Sequence, residues 1–383
     1  MAHVRHKGLQ TWQWVMMAGF ILWLALTAAR ILHFIPEEMA LPTLIALSAA
    51  QLIAGFTILQ GACEALILGV ERLGARFRWD SFIAGTIGEI ASNLPEFVVI
   101  AFLVLIDPLA AFLIAVVAIY SNALAFSVYS FFLPKDVKGK FLMPDPITRA
   151  GTEVLIAGSG IALVIGFVFL ALHSESHKTE LNRYDLALIA AVLLVVFGFY
   201  IYSLMHYYAK QEDEDKADPL DPAMHSVSWG AIIGMLALGT AGAFIGGESI
   251  SAFADVALHR MSLPQVPTAL ILAFFAGVSE YLIVYKAHRK GELGIALSNV
   301  FGAITQQMFL VFPFTLVAIA LMGATIPINF VTTISLILLF PVFFVLFEYL
   351  EEDHTLNNLD AAGMVGIFAL IVYVLLFMSG VKG

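Results

Sequence analysis

An all-α integral membrane protein is the fold class this sequence predicts, with about eleven spans arranged as one N-terminal helix plus two inverted five-helix repeats. Three observations predict it. The 383 residues are 61% hydrophobic and only 13% charged, with a mean hydropathy of +0.92, whereas a water-soluble domain carries roughly a quarter charged residues. Apolar runs of about 20 residues, each long enough to cross the hydrocarbon of a bilayer, recur along the chain. Finally, glutamates buried in those runs recur in the second half at a constant offset.

The spans are expected at 11–33, 41–70, 81–105, 109–133, 150–172, 185–208, 226–252, 266–287, 293–322, 325–349 and 360–380. In lipid they must be helices, because no water is present to satisfy open backbone groups. The first run follows Arg5 and Lys7, and its length favours a retained signal-anchor helix over a cleaved leader. The division is 1–40 for the tail and extra helix, 41–208 for the first repeat, 209–225 for an acidic linker and 226–383 for the second repeat.

Lys and Arg in the connections set the orientation. Fourteen of the 19 basic residues fall on the side that holds the N-terminus, and five on the other. The expected placement is a cell membrane, with the N-terminus cytoplasmic and the C-terminus outside. Dropping one internal span would scramble that bias. A net charge of −10 gives nucleic acid nothing to bind, and the single Cys63 excludes a disulfide framework.

The repeat is carried by an offset of 184 residues. It takes Glu64 to Glu248, Glu96 to Glu280, Gly55 to Gly239, Glu71 to Asp255, Arg76 to Arg260 and Asn122 to Gln306, without a gap. Helical periodicity aligns apolar residues by chance, but not rare intramembrane carboxylates, each of which needs a reason to be there. Five helices per copy is an odd number of crossings, so the second copy lies inverted, as in secondary transporters.

In GTIGEIASNLPEFVVIAF (85–102), Pro95 removes a backbone donor and crowds the preceding turn, so the helix should break around Ser92–Pro95. Thr86, Glu89, Asn93 and Glu96 form one polar stripe. The second-half counterpart places Ala276 and Gly277 before Ser279 and Glu280. One helix further on, Asn122 and Gln306 each follow their glutamate by 26 residues. Glu96, Glu280, Asn122, Gln306, Asn93, Ser92 and Ser279 thus offer a hard-oxygen cage suited to calcium, without the sulfur or clustered imidazole of zinc and copper sites. Glu64, Glu248 and Glu89 are candidates for a proton or entry path. Structural pairing between helices is the competing reading, strongest for the amides. The acidic run QEDEDKADPLDP (211–222) and EEDH (351–354) lack the spacing of a calcium loop and fit solvated charge.

These residues resemble the cation/calcium exchanger superfamily. SNLPEF (92–97) looks like its first motif, and KGELGIALSNVFG (290–302) like the second repeat of sodium/calcium exchangers. YSN (120–122), TQQMFLVFP (305–313), the extra N-terminal span and the acidic linker are similar to the cation/proton branch. The resemblance implies Glu96 and Glu280 as central calcium ligands, with Asn122 and Gln306 flanking them. The chain departs from the sodium exchangers, with Ser92-Asn93 and Ala276-Gly277 where those carry a Thr-Ser pair. The expectation is a secondary antiporter exporting a divalent cation, most readily calcium, for protons. Sodium/calcium exchange is the alternative, a cation channel a remoter one. No zinc-protease or serine-base pattern supports an enzyme, and no cofactor is expected beyond the transported cation. The partners are inorganic cations, protons and the lipid bilayer, and the number of subunits stays open.

Overall fold

The computed structural model describes residues 10–32, 39–77, 87, 90–143, 148, 151–175, 178–203, 206, 228–291, 293–352 and 354–378. Among them, nine helices are long and apolar enough to cross a membrane. A tenth span is the pair Gln265–Gly277 and Glu280–Arg289, bent by 41°, and a shorter apolar helix occupies Ile90–Ile106. These are the expected spans. The exposed large side chains are largely hydrophobic, as at Ile21, Leu105, Phe199 and Leu370, and in lipid such surfaces need no cover.

In chain order the helices are α1 (Thr11–Ile31), α2 (Leu41–Phe77), α3 (Leu94–Ile106), α4 (Pro108–Ser130), α5 (Thr152–Glu175) and α6 (Arg183–Ser203). The second series is α7 (Trp229–Asp255), α8 (Gln265–Lys290), α9 (Leu293–Gln306), α10 (Phe312–Leu321), α11 (Phe330–Ile337), α12 (Leu339–Glu352) and α13 (Asn358–Met378). Short π-helical turns follow α7 (Val256–Arg260) and α9 (Gln307–Val311). Four two-residue strands punctuate the connections: β1 (Phe141–Leu142), β2 (Glu180–Leu181), β3 (Ile326–Pro327) and β4 (Thr355–Leu356). Both α2 and the α7 segment run several residues past the predicted ends, carrying Glu71, Arg72 and Arg76 and then His259 and Arg260 on continued helix.

The strands extend the repeat beyond the glutamates. In each copy, three helical spans are followed by a strand, a span, a strand and a last span. β1 pairs with β4 and β2 with β3, both antiparallel, so each copy lends a strand to the other at both places. The flanking bonds match too, with Met143 N donating to His354 O at 2.8 Å and Ile328 N to Thr179 O at 2.7 Å. An even number of spans separates the members of each pair, so the partners lie on one side of the membrane, and β1 and β2 lie on opposite sides. The predicted count has that parity.

The chain forms two compact units, 1–102 with 218–262, and 103–217 with 263–383. Each takes helices from both repeats. In the first unit, α2 and α7 pack antiparallel at glycine-close distance. A Cβ on Gly55 would come within 2.8 Å of Gly246 O and of Ile250 Cγ1, and one on Gly239 within 2.9 Å of Ala62 O and 2.6 Å of Leu66 Cγ. The offset of 184 carries Gly55, Ala62 and Leu66 onto Gly239, Gly246 and Ile250, so the two contact sets are one set seen twice. The unit therefore has a pseudo-two-fold relation between α2 and α7. α1 fills one groove of this pair, with Met16 against Gly61 and Gly242. The start of α3 fills another, with Val98 and Val99 against Gly247.

In the second unit, α4 is the central helix, buried almost along its length. Its N-cap Asp107 accepts from Ala110 N at 3.0 Å, and Pro108 suits the first helical position. The last helix of each repeat opens on the same cap. Asn182 accepts from Tyr184 N and Asp185 N while Asp185 accepts from Asn182 N. Asn357 accepts from Leu359 N and Asp360 N while Asp360 accepts from Asn357 N. Leu181 and Leu356, before the two asparagines, are fully buried.

Candidate functional site

The helix that carries the first glutamate is interrupted at Asn93, as Pro95 predicts. Ile90–Ser92 is helical, Asn93 is a turn, and α3 begins at Leu94. Asn93 N donates to Ile90 O at 3.2 Å in a tight turn, and helical bonding resumes with Phe97 N to Asn93 O at 3.0 Å. Glu96 therefore sits in the first turn of α3, where the open N–H groups and the positive end of the helix dipole favour a carboxylate. It is buried, as are Asn93 and Pro95. Ser92 is half-buried and its carbonyl oxygen faces Cys63 Sγ of α2 at 3.9 Å.

The second copy reaches a break by other means. α8 has no proline at the matching place, and its 41° bend lies between Gly277 and Glu280. Glu280 is half-buried overall, with its Oε2 atom withdrawn from solvent. The side chain of Ser279 lies outside the described residues, as do Thr86 and Glu89 and the acidic run 211–222.

Three of the predicted residues are brought to one level in the second unit. α8 runs parallel to α4 and is fastened to it at both ends. Gln265 Nε2 donates to Asp107 Oδ2 at 2.8 Å, an offset of 158 residues. Tyr129 Oη and His288 Nδ1 share a hydrogen bond at 3.2 Å, an offset of 159. By that register Glu280 falls at the level of Asn122. The α9–α10 segment crosses α4 antiparallel, with Phe112 edge-on to Phe312 at 5.6 Å and Phe126 to Phe301 at 5.9 Å. These two contacts bracket Asn122 on one helix and Gln306 on the other. Asn122 and Gln306 are fully buried, and so is Gln307. The Tyr120 hydroxyl donates to Ser335 O, which locks α4 two residues before Asn122. A π-turn begins immediately after Gln306. It widens the helix by one residue per turn, a distortion that recurs at functional sites.

The unit built around Glu280 thus gathers a carboxylate and two amides. The unit that holds Glu96 supplies a carboxylate at a helix start, with Asn93 and the Ser92 carbonyl beside it. All are oxygen donors, and no group of three or more His, Cys, Asp or Glu with metal-binding geometry exists among the described residues. Such donors suit a hard cation that is held weakly enough to leave again. Glu64 is half-buried on α2. Glu248 is exposed on α7, where Trp23 Nε1 donates to its Oε2 at 3.4 Å; it is therefore tied to α1.

Gln60 was no part of the sequence expectation. It is 8% exposed, and its buried Oε1 accepts no hydrogen bond among the described residues. The signal was present, since an amide in the apolar run TILQGACEAL, one turn before Glu64, is as unusual as the glutamate itself.

Inverted repeats, a broken helix holding a buried carboxylate and a second carboxylate level with two amides are features found together in secondary transporters. Residues 227–377 match the family described as sodium/calcium exchanger protein. No curated protein matches the chain in sequence. Among solved structures, the H+/Ca2+ exchanger CAX superposes with a TM-score of 0.67 at 11% identity, over 97% of this chain and 93% of that one. Native YfkE does so at 0.61 and 12%, over 96% and 99%. The sodium-calcium exchanger NCX_Mj does so at 0.54 and 15%, over 85% and 97%. The chain is thus a multi-pass membrane protein with the fold of these exchangers, and its residues 227–377 match the sodium/calcium exchanger family.

Proposed function

We propose that the protein exports a divalent cation, most readily calcium, across a cell membrane in exchange for protons, with Glu96 and Glu280 as the exchanging carboxylates. The observation that carries this reading is the shared level of Glu280, Asn122 and Gln306. A carboxylate level with two buried amides offers oxygen ligands that suit a hard cation. A cation and a proton each neutralise a carboxylate partly withdrawn from water, so the two can compete for it. Competition for the same oxygens couples the two fluxes without a second machine. Asn93, Ser92 and Ser279 are the further ligands of this reading. α2 and α7, joined through glycine contacts and carrying Glu64 and Glu248, are the elements that switch access. The N-terminus is assigned to the cytoplasm and the C-terminus to the outside.

Sodium as the driving ion is the second reading, and the family match over residues 227–377 favours it. Against it, Ala276 and Gly277 present no hydroxyl where a sodium site needs oxygens. Calcium flux in proteoliposomes under an imposed proton gradient, and separately under a sodium gradient with protonophore, decides between them. The expected result is proton-driven flux that is lost in Glu96→Gln and in Glu280→Gln. Flux that needs no counter-ion identifies a channel and ends the exchange reading.

A further inference from the structure

Three strips run along α2, and the contacts of the first unit account for two of them. Gly55, Leu59, Ala62 and Leu66 face α7. Thr57, Ile58 and Gly61 face α1, against Gly19 and Met16. The third strip carries Gln60, Cys63 and Glu64, and residues three and four apart on a helix are surface neighbours. Cys63 places this strip against the Ser92 carbonyl, at the break that precedes Glu96. Gln60 is in neither set of glycine contacts, yet 92% of its surface is covered, since 8% remains exposed. Its Oε1 atom is out of reach of solvent and has no donor among the described residues. A buried amide oxygen without a donor is a rarity that requires an explanation, and helix packing does not supply one here. The matching position of the second repeat is Phe244, which is 54% exposed, so the pseudo-two-fold relation does not call for an amide either.

We propose that Gln60 is a further cation ligand, whose amide oxygen takes the cation as it sheds water between Glu64 and the Ser92–Glu96 break. An amide carbonyl is a suitable calcium ligand and adds no charge for protons to compete with. It sits on one of the two helices assigned above to switching access, so it binds the cation in one access state only. The inference rests on the exchange reading and gives that site an asymmetry: one repeat offers an oxygen on its first helix and the other offers a phenyl ring.

The test is proton-driven calcium flux in proteoliposomes, measured against calcium concentration and with manganese as competitor. Gln60→Met keeps the volume of the side chain and removes the oxygen. The expected result is a rise of about tenfold in the half-saturating calcium concentration, a smaller change in maximum rate, and an altered calcium-to-manganese preference. Gln60→Glu retains an oxygen and adds a charge. It is expected to lower the half-saturating concentration and to make it steeply pH-dependent, and it serves where the Met variant does not fold. Half-saturation and ion preference unchanged in either folded variant, or a fall in maximum rate alone, overturn the inference. With the wild type active and Glu96→Gln silent, that outcome removes Gln60 only; a wild type that moves no cation against protons removes both readings.

Discussion

The two pairs of matched helices in this protein obey their internal symmetry to different degrees. α2 and α7 repeat each other contact for contact. Gly55 meets Gly246 and Ile250 as Gly239 meets Ala62 and Leu66. The two glutamate helices do not. One is broken by a turn at Asn93 ahead of Pro95, the other bends by 41° between Gly277 and Glu280 without any proline. A helix pair whose task is to pack in either of two inverted arrangements has to be symmetric, because the same surface must fit both ways. A ligand helix has no such constraint and is free to specialise. On the proposed exchange reading, symmetry marks the helices that switch access, and its loss marks those that hold the cation.

The comparison breaks hardest at the carboxylates. Glu96→Gln and Glu280→Gln are each expected to abolish coupled flux while leaving the purified protein folded, as judged by its thermal melting. Retention of wild-type flux in either variant would falsify the assignment of that carboxylate. Next in size are the glycine contacts. Gly55→Leu and Gly239→Leu both drive a side chain into a backbone oxygen that lies within 3 Å of the new Cβ. Each should cost about 2–3 kcal/mol through overpacking. Equal losses in the two variants sharpen the symmetry, and a loss in only one breaks it. The paired caps come third: Asn182→Ala and Asn357→Ala should each lower stability by about 1 kcal/mol, measurable as matching shifts in melting temperature. The smallest effect is expected from Tyr129→Phe, which opens one end of the α4–α8 clamp. A single hydrogen bond of this kind contributes about 1 kcal/mol or less, so the variant should melt slightly earlier and leave half-saturation by calcium unchanged.

Much of this architecture was legible in the sequence because it depends on rare residues. A proline ahead of a glutamate announces a break, and paired glutamates in apolar helices announce a repeat. The bend in α8 carried no such mark, since Ala276, Gly277 and Ser279 are ordinary in membrane helices. The offset also drifts. It is 184 at Asn122 and Gln306 but 185 from β1 to β3 and 175 from Asn182 to Asn357, so a fixed-offset comparison loses the last third of each copy. The recurring Leu-Asn-x-x-Asp of 181–185 and 356–360 would have recovered it. Strands of two residues are too short for any alternation to show. Gln60 carried a mark in the sequence, an amide one turn before Glu64, but its absent donor shows only in the folded chain.

The exchange of strands between the copies bears on how the protein is made. β1 emerges at residue 141 but its partner β4 follows only at 355, and β2 at 180 waits for β3 at 326. The first repeat is thus inserted in the membrane with both of its strand edges open, and open edges invite wrong pairings. Contacts of such long sequence separation form late. β4 closes its ladder with β1 only when it has been made, more than 200 residues after its partner, so a chain truncated before Thr355 leaves β1 open. Neither copy can complete its own ladders alone, so the two halves of the chain are fastened to each other outside their helices.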